Sequence, residues 1–369
     1  MNPLSSPLSR ITAAFLFVSV VAGLSAADAP AGEKRSRWRI EAGPSLWFNT
    51  SIKYGATAGA GPSTAAKTDR IYDNGYNRVD ASGNLGDGPG GLLASRTGYF
   101  GFTSDNQVDL RAGTLSLNQL QAAGDYSPVY RPALRPGFDA ALRYSLANDN
   151  TRRDWGIEVG YNYTRFKQAS TGAITANLSL LTDTYALGGV VPQRAPYSGR
   201  FSPLPGDQRI GDVPTRTTGP VLGSVNGSRS FQGRTSLIRV GPWLELLPAT
   251  RRAPESESER WSVMARGGLA FLNTKASFQM EERLSGGGFV ASAATTASAS
   301  GRSSQVGYFL GARARRVVNE RWAVLVWGDF LRGSEMTLAS GNRYARFDAT
   351  RSVVGGLALE FASRKKPAR

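Results

Sequence analysis

The chain has 369 residues with no cysteine and no histidine, and its 44 Lys and Arg against 28 Asp and Glu leave a formal charge of +16. The two absent residue types exclude a disulfide framework, thiol chemistry, and the imidazole that most often serves as general base or metal ligand near neutral pH. The basic residues are scattered and carry no RRM, zinc-finger or helix-turn-helix signature, so no nucleic-acid partner is expected. Anionic lipid phosphate at a membrane surface is the better counterpart for the charge.

The chain opens with Arg10, an apolar run over 11–24 and then Ser25-Ala26-Ala27, which together read as a Sec signal peptide spanning 1–27 and cleaved after Ala27. A polar lead-in, 28–36, follows. No later stretch reaches the roughly 18 consecutive apolar residues of a transmembrane helix. Export without a helical anchor leaves periplasmic, secreted or outer-membrane barrel.

Four segments share one opening: Arg37-Trp38-Arg39-Ile40, Asp154-Trp155-Gly156-Ile157, Arg260-Trp261-Ser262-Val263 and Arg321-Trp322-Ala323-Val324. Each begins an alternating run, the period of a strand with two unlike faces. Strand one starts at Trp38 and runs through Trp47 and Phe48 towards Tyr54. A long polar stretch, 55–136, comes next, with turn clusters and short strands expected near 99–102 and 115–120. Strand two covers 138–146, and strand three sets Trp155, Ile157, Val159, Tyr161 and Tyr163 against Gly156, Glu158, Gly160, Asn162 and Thr164. A second long insertion, 167–229, contains a strand at 174–181 and a Pro/Gly-rich tract through Pro192, Pro196, Pro203, Pro205, Pro214 and Pro220, expected to be mostly ordered loop.

Strand four occupies 236–246 and strand five 261–271, followed by a Gly/Ala/Ser/Thr tract, 286–300, expected to be a flexible loop. Strands six, seven and eight follow at 306–315, 322–330 and 353–361, and a basic tail occupies 362–369. Short turns after strands two, four and six alternate with long loops after one, three, five and seven. That asymmetry predicts an all-β, antiparallel up-and-down transmembrane barrel of eight strands over 37–361, with the long loops extracellular and both termini periplasmic. Trp38, Trp155, Trp261 and Trp322 would form the periplasmic aromatic girdle, where an indole has one end apolar and one end wet. Trp327 has the opposite parity and would point inward.

The inward parity carries Arg39, Glu41, Asp139, Arg143, Glu158, Arg239, Glu245, Arg266, Arg313, Arg315, Asp329 and Glu360, six of each sign. Buried charges must be paired, and a barrel of eight strands is narrow enough to be filled by side chains, so these residues predict a closed lumen. Gly156, Gly160, Gly241, Gly268, Gly307, Gly311 and Gly356 lie on the same face and would leave room for some water. The competing expectation is an Arg-lined channel for small anionic or polar solutes, with ten or more strands if 174–181 and part of the first insertion join the barrel.

The pattern of strands, leader and loops resembles the small outer-membrane proteins of the OmpA transmembrane-domain and OmpX type, across nearly all of the mature chain. The resemblance is one of architecture. It implies the bacterial outer membrane, contact with outer-membrane lipid and lipopolysaccharide, a monomer, and no cofactor. The two insertions are longer than such barrels usually carry, and long ordered loops are usually functional, so a surface partner is expected there. Barrel lipases, acyltransferases, deacylases and proteases use a histidine, so no enzyme is expected. The loop acids Asp69, Asp73, Asp80 and Asp87, with Asn74 and Asn84, are oxygen ligands of the kind Ca²⁺ takes, with Asp73, Asp80 and Asp87 the weak candidate set. They lack EF-hand spacing, and such clusters usually build turns.

Overall fold

The computed structural model describes residues 37–85, 95–131, 135–147, 154–247, 261–291, 293–319, 321–333 and 335–362. The expected leader and lead-in, Asp87, and the tail beyond Ala362 lie outside these residues. Eight strands make the frame: β1 Trp38–Phe48, β2 Arg135–Ser145, β3 Trp155–Ala186, β4 Thr215–Leu247, β5 Trp261–Gly286, β6 Thr295–Val317, β7 Trp322–Arg332 and β8 Ser352–Ala362. Each pairs antiparallel with the next in sequence, and β1 also pairs with β8, so the pairings run in a ring.

The sheet as a whole has eleven strands, more than the eight expected. The additional ones are Val108–Asp109, Thr114–Ala122 and Phe289–Val290. Within the frame, Thr114–Ala122 pairs with the far half of β3, from Leu178 onward, and on its other side with Val108–Asp109; Phe289–Val290 pairs with the last residues of β5. They lengthen the sheet at its outer end and take no place in the ring.

Polarity within the ring is the reverse of a soluble core. In β3, Trp155, Ile157, Val159 and Tyr161 are exposed while Gly156, Glu158, Gly160 and Asn162 are buried. The same inversion puts Leu310 66% and Leu357 55% exposed, against Arg143, Arg239 and Glu158 at 1% or less. An outward face of this kind suits a hydrocarbon surround, and the opposing polar face must then satisfy itself.

β1, β2, β7 and β8 have 11 residues each, whereas β3 to β6 have 32, 33, 26 and 23. Four strands therefore continue well beyond the ring as a wall. The second insertion, expected to be mostly loop, is largely strand, because β3 runs to Ala186 and β4 starts at Thr215. Pro220 lies within β4 opposite Ser179, but β4 meets β5 only from Gly223 onward. At Pro220 the strand is an edge, where a missing N–H is tolerated. Pro242 falls where the β4–β5 register skips Gly241 and Pro242. The 286–300 tract, expected to be a loop, enters β6 at Thr295; Ala297 and Ala299 pack into the cluster of Met336 and Leu338, while Thr296, Ser298 and Ser300 are exposed.

Three apolar clusters stack along this frame. Trp47, Leu237, Trp243, Phe309, Leu325 and Trp327 belong to the one inside the ring. The second lies between the wall and a four-stranded sheet of Ser51–Ala56, Gly124–Asp125, Glu335–Ser340 and Arg343–Asp348, with Phe166, Phe231 and Phe347 stacked at its centre. The third joins the two insertions at the tip through Tyr72, Phe100, Phe102, Leu117 and Tyr185.

The inward glycines do not hold space for water as expected. A Cβ on Gly311 would overlap the Asp329 carboxylate and approach the Gly328 carbonyl at 2.6 Å, and one on Gly160 would lie 2.9 Å from the Arg239 guanidinium. Ionic groups occupy that room at these two positions, and backbone carbonyls of adjacent strands do so at Gly156, Gly241, Gly268, Gly307 and Gly356. Gly311→Ala is expected to cost about 3 kcal/mol by overpacking and by displacing a paired carboxylate. Gly328→Ala, which meets no atom within 4 Å, should change stability by less than about 0.5 kcal/mol. Urea unfolding of the two variants checks both, and equal effects would contradict the packed lumen.

Candidate functional site

Inside the ring the charged residues form one alternating chain. Arg315 Nε donates to Glu360 at 2.8 Å, Glu360 also pairs with Arg143, and Arg143 pairs with Glu41. Glu41 accepts from Arg313 at 2.7 Å, which reaches Glu158 at 3.0 Å, and Glu158 accepts from Arg266 at 2.6 Å. Arg266 holds Asp329 through Nε and Nη2, both at 2.8 Å. Asp329 also pairs with Arg239, which donates to Asp139 at 2.5 Å. These ten residues come from all eight strands, so a misplaced strand would break the alternation. Burial makes each partner obligatory, since an unpaired buried charge costs several kcal/mol.

Polar groups hold the Asp139 end of this chain, and indole rings support members along its length. Asn162 donates to Asp139 at 3.1 Å and to Ser45 at 2.8 Å, and accepts from Trp47 Nε1 at 2.7 Å. The Arg143 guanidinium lies over Trp243, and those of Arg239 and Arg266 both lie 5.0 Å from the Trp327 ring. An indole face stabilises a cation that has lost its water.

Of the twelve inward residues named from the sequence, ten lie in this chain. Arg39 is half-buried and pairs with Asp154 at 2.9 Å, outside it. Glu245 is buried, but no described cation lies within ion-pair distance of it; its strand instead bonds Asp154 through the Glu245 amide at 2.8 Å. Asp154 takes the place expected of Glu245, and sequence reasoning missed it, as it missed Trp47 and Ser45. All three keep the inward parity of their strands, so extending the alternation by one step would have found them. The four girdle tryptophans are 43–46% exposed and begin β1, β3, β5 and β7, which places them at one end of the ring. Phe48, Phe138, Tyr161, Phe271, Tyr308 and Phe330 are exposed towards the other end, a second aromatic belt that the sequence reading did not single out.

Beyond the ring, further buried charges tie the insertions to the wall. Glu282 accepts from Arg229, from Arg343 at 3.2 Å and from the Tyr126 hydroxyl at 2.5 Å. Burial, followed by the charge of Glu282, pushes the Tyr126 phenol well above its ordinary range. At the tip, Asp183 accepts two bonds from Arg216 at 2.7 Å and one from Tyr72 at 2.5 Å, and burial pushes the Tyr185 phenol beside them up to about 12. Asp212 Oδ2 gathers the Lys67 amide, the Asn84 side chain and the Ser95 hydroxyl at 2.7–2.8 Å.

The loop acids do not converge on a cation. Asp73 accepts from the Leu120 amide at 2.7 Å, and Asp80 accepts from the Gly98 and Ser82 amides at 2.9 Å. Burial alone would raise the Asp80 carboxyl, but these amides, with that of Asn84 and the Ser82 hydroxyl, outweigh it and hold it below its ordinary value. Among the described residues no group of three or more acidic, His or Cys side chains is placed to hold a metal ion. Of the candidate Ca²⁺ set, Asp73 and Asp80 order backbone turns, and Asp87 lies outside the described residues.

No family model and no curated protein matches the chain. Among solved structures it is similar to outer-membrane β-barrels. The attachment invasion locus protein Ail of Yersinia pestis shares 9% identity, covering 89% of this chain and 100% of Ail at a TM-score of 0.29. The outer-membrane protein OprG of Pseudomonas aeruginosa shares 8%, covering 90% and 99% at 0.32. The outer-membrane protease OmpT of Escherichia coli shares 10%, also covering 90% and 99% at 0.32. Identities this low assign neither a family nor an activity.

Asp329, like Glu41, Glu158 and Glu360, serves two arginines, and it accepts three hydrogen bonds from them, whereas Glu245 pairs with no cation among the described residues. Asp329→Asn should therefore lose about 3–5 kcal/mol of unfolding free energy, and Glu245→Gln less than about 1 kcal/mol. Reversible denaturant unfolding of both variants, reconstituted in the same lipid, checks the contrast.

Proposed function

We propose that this chain is a non-enzymatic integral protein of the bacterial outer membrane. Its ring of eight strands anchors a rigid outer module made from the two insertions, and it is a monomer delivered by a cleaved leader over 1–27. The observation that carries this reading is the pairing of an outward apolar belt with an inward chain of neutralised charges. Hydrocarbon tolerates the first, and only a filled lumen tolerates the second. From Trp38 to Phe48 and from Trp261 to Phe271 the two aromatic belts are ten residues apart. At about 3.3 Å per residue and a strand tilt near ~45°, that separation is roughly 23 Å, close to the apolar band of an outer-membrane barrel.

The outer module is the working surface. Ile71, Leu110, Val191, Phe201 and Leu204 are exposed on it, while the clusters beneath keep its backbone fixed. A preorganised surface loses little entropy on binding, which suits a scaffold that presents contacts to a surface partner. The channel reading has less support, because the extra strands join the wall rather than the ring, and the apolar clusters lie across the path above the ion chain.

Single-channel recording in planar bilayers tests the reading. The purified protein should migrate as a heat-modifiable band on unboiled gels and give no stable conductance. Steady ion-selective current would overturn the closed lumen.

A further inference from the structure

On the outward face, the four wall strands carry matched rows that change chemistry with height. Tyr161, Ile238, Phe271 and Val306 lie opposite one another in register and are apolar or aromatic. Two residues further out, the row is Tyr163, Ser236, Asn273 and Ser304, all hydroxyl or amide. The next row is Arg165, Arg234, Lys275 and Arg302: four cations directly opposite each other across three consecutive strand pairings. Lys167 stands one step above Arg165 on β3.

Like charges placed directly opposite in a sheet repel and destabilise it. No carboxylate among the described residues lies within ion-pair distance of these five side chains, although the ten ions of the buried chain balance five against five. Arg165 and Arg302 are also braced from below: Arg165 Nε donates to the Tyr163 hydroxyl at 2.9 Å and Arg302 Nε to Asn273 Oδ1 at 3.0 Å. That bracing leaves the Nη edge of each guanidinium to a ligand. All five cations line one open groove of about 920 Å³ across β3 to β6.

We propose that this groove binds the phosphates of an anionic outer-leaflet lipid headgroup. Three guanidinium forks and an ammonium in a row suit phosphate oxygens, which take paired N–H donors. The height fits a lipid rather than a free anion, because about 7 Å of strand separates each row from the next. The apolar row then lies at acyl depth, the hydroxyl and amide row at the ester and sugar level, and the cations at the phosphates. The inference rests on the membrane reading above and adds a specific subsite to it.

The test uses the full mature chain in a neutral detergent and a variant carrying Arg165→Gln, Arg234→Gln, Lys275→Gln and Arg302→Gln, all at exposed or half-exposed positions outside the ion chain. Native mass spectrometry would count retained copies of a bis-phosphorylated glucosamine lipid, of its dephosphorylated form, and of inorganic phosphate. The unaltered protein should hold the phosphorylated lipid on the order of a hundredfold more tightly than the variant does, and more tightly than it holds the dephosphorylated lipid. Equal retention by both proteins, or of both lipids, would overturn the site. Inorganic phosphate binding as tightly as the lipid would overturn the lipid source. In parallel, brominated lipid should quench Trp38, Trp155, Trp261 and Trp322 in the reconstituted protein. Quenching without phosphate dependence removes the site alone, whereas absence of quenching removes the membrane reading.

Discussion

Ten charges inside the ring are held by one another. Arg143, Arg239, Arg266 and Arg313 are almost wholly buried, and so are Glu41, Asp139, Glu158, Asp329 and Glu360. Their alternation is the condition under which the strands can close, because each strand brings at least one member. Buried ion pairs add little net stability when compared with well-packed apolar residues, yet removing one partner is costly. The chain of ions therefore selects the register more than it deepens the energy well. A slip by one residue would turn every inward arginine towards lipid and every Leu or Val into the lumen.

The same constraint explains the distribution of the protein's charge. Within the ten-residue chain the signs cancel, so the excess of 16 positive charges lies entirely outside it. Part of that excess stands in the row of Arg165, Arg234, Lys275 and Arg302, just above the apolar belt. Inside, the protein supplies its own counter-ions; on the wall it offers cations that its own acids leave unmatched. The outer module follows the inner rule again, with Glu282 and Asp183 each buried against arginine. The wall, the ring and the tip thus form a continuous ordered body, with apolar clusters filling the spaces between its ionic layers.

Much of this was legible from period-two alternation. The eight frame strands, the outward tryptophans and ten members of the ion chain all follow from which side of a strand a residue falls on. What was not legible is where the strands stop. The 286–300 tract has the composition of a flexible loop, but its alternation in β6 turns Ala297 and Ala299 towards Met336 and Leu338. Pro220 signals a break only for a strand paired on both sides, and β4 is an edge at that point. Starting β4 late and stopping β5 early also hid Arg229 and Glu282, which keep inward parity far beyond the ring. Glu245 has the right parity too but pairs with no cation among the described residues, and parity alone does not identify a partner. The inward glycines were misjudged because an empty Cβ position says nothing about which neighbour fills it.

The central claim is that the strands are coupled through the alternating ions rather than carrying independent pairs of indifferent charge. A double-mutant cycle on Arg266 and Asp329, by reversible urea unfolding from lipid vesicles, measures that coupling directly. The two single variants, Arg266→Gln and Asp329→Asn, and their combination should show a coupling energy above about 1 kcal/mol. Effects that add within about 0.5 kcal/mol would contradict the account.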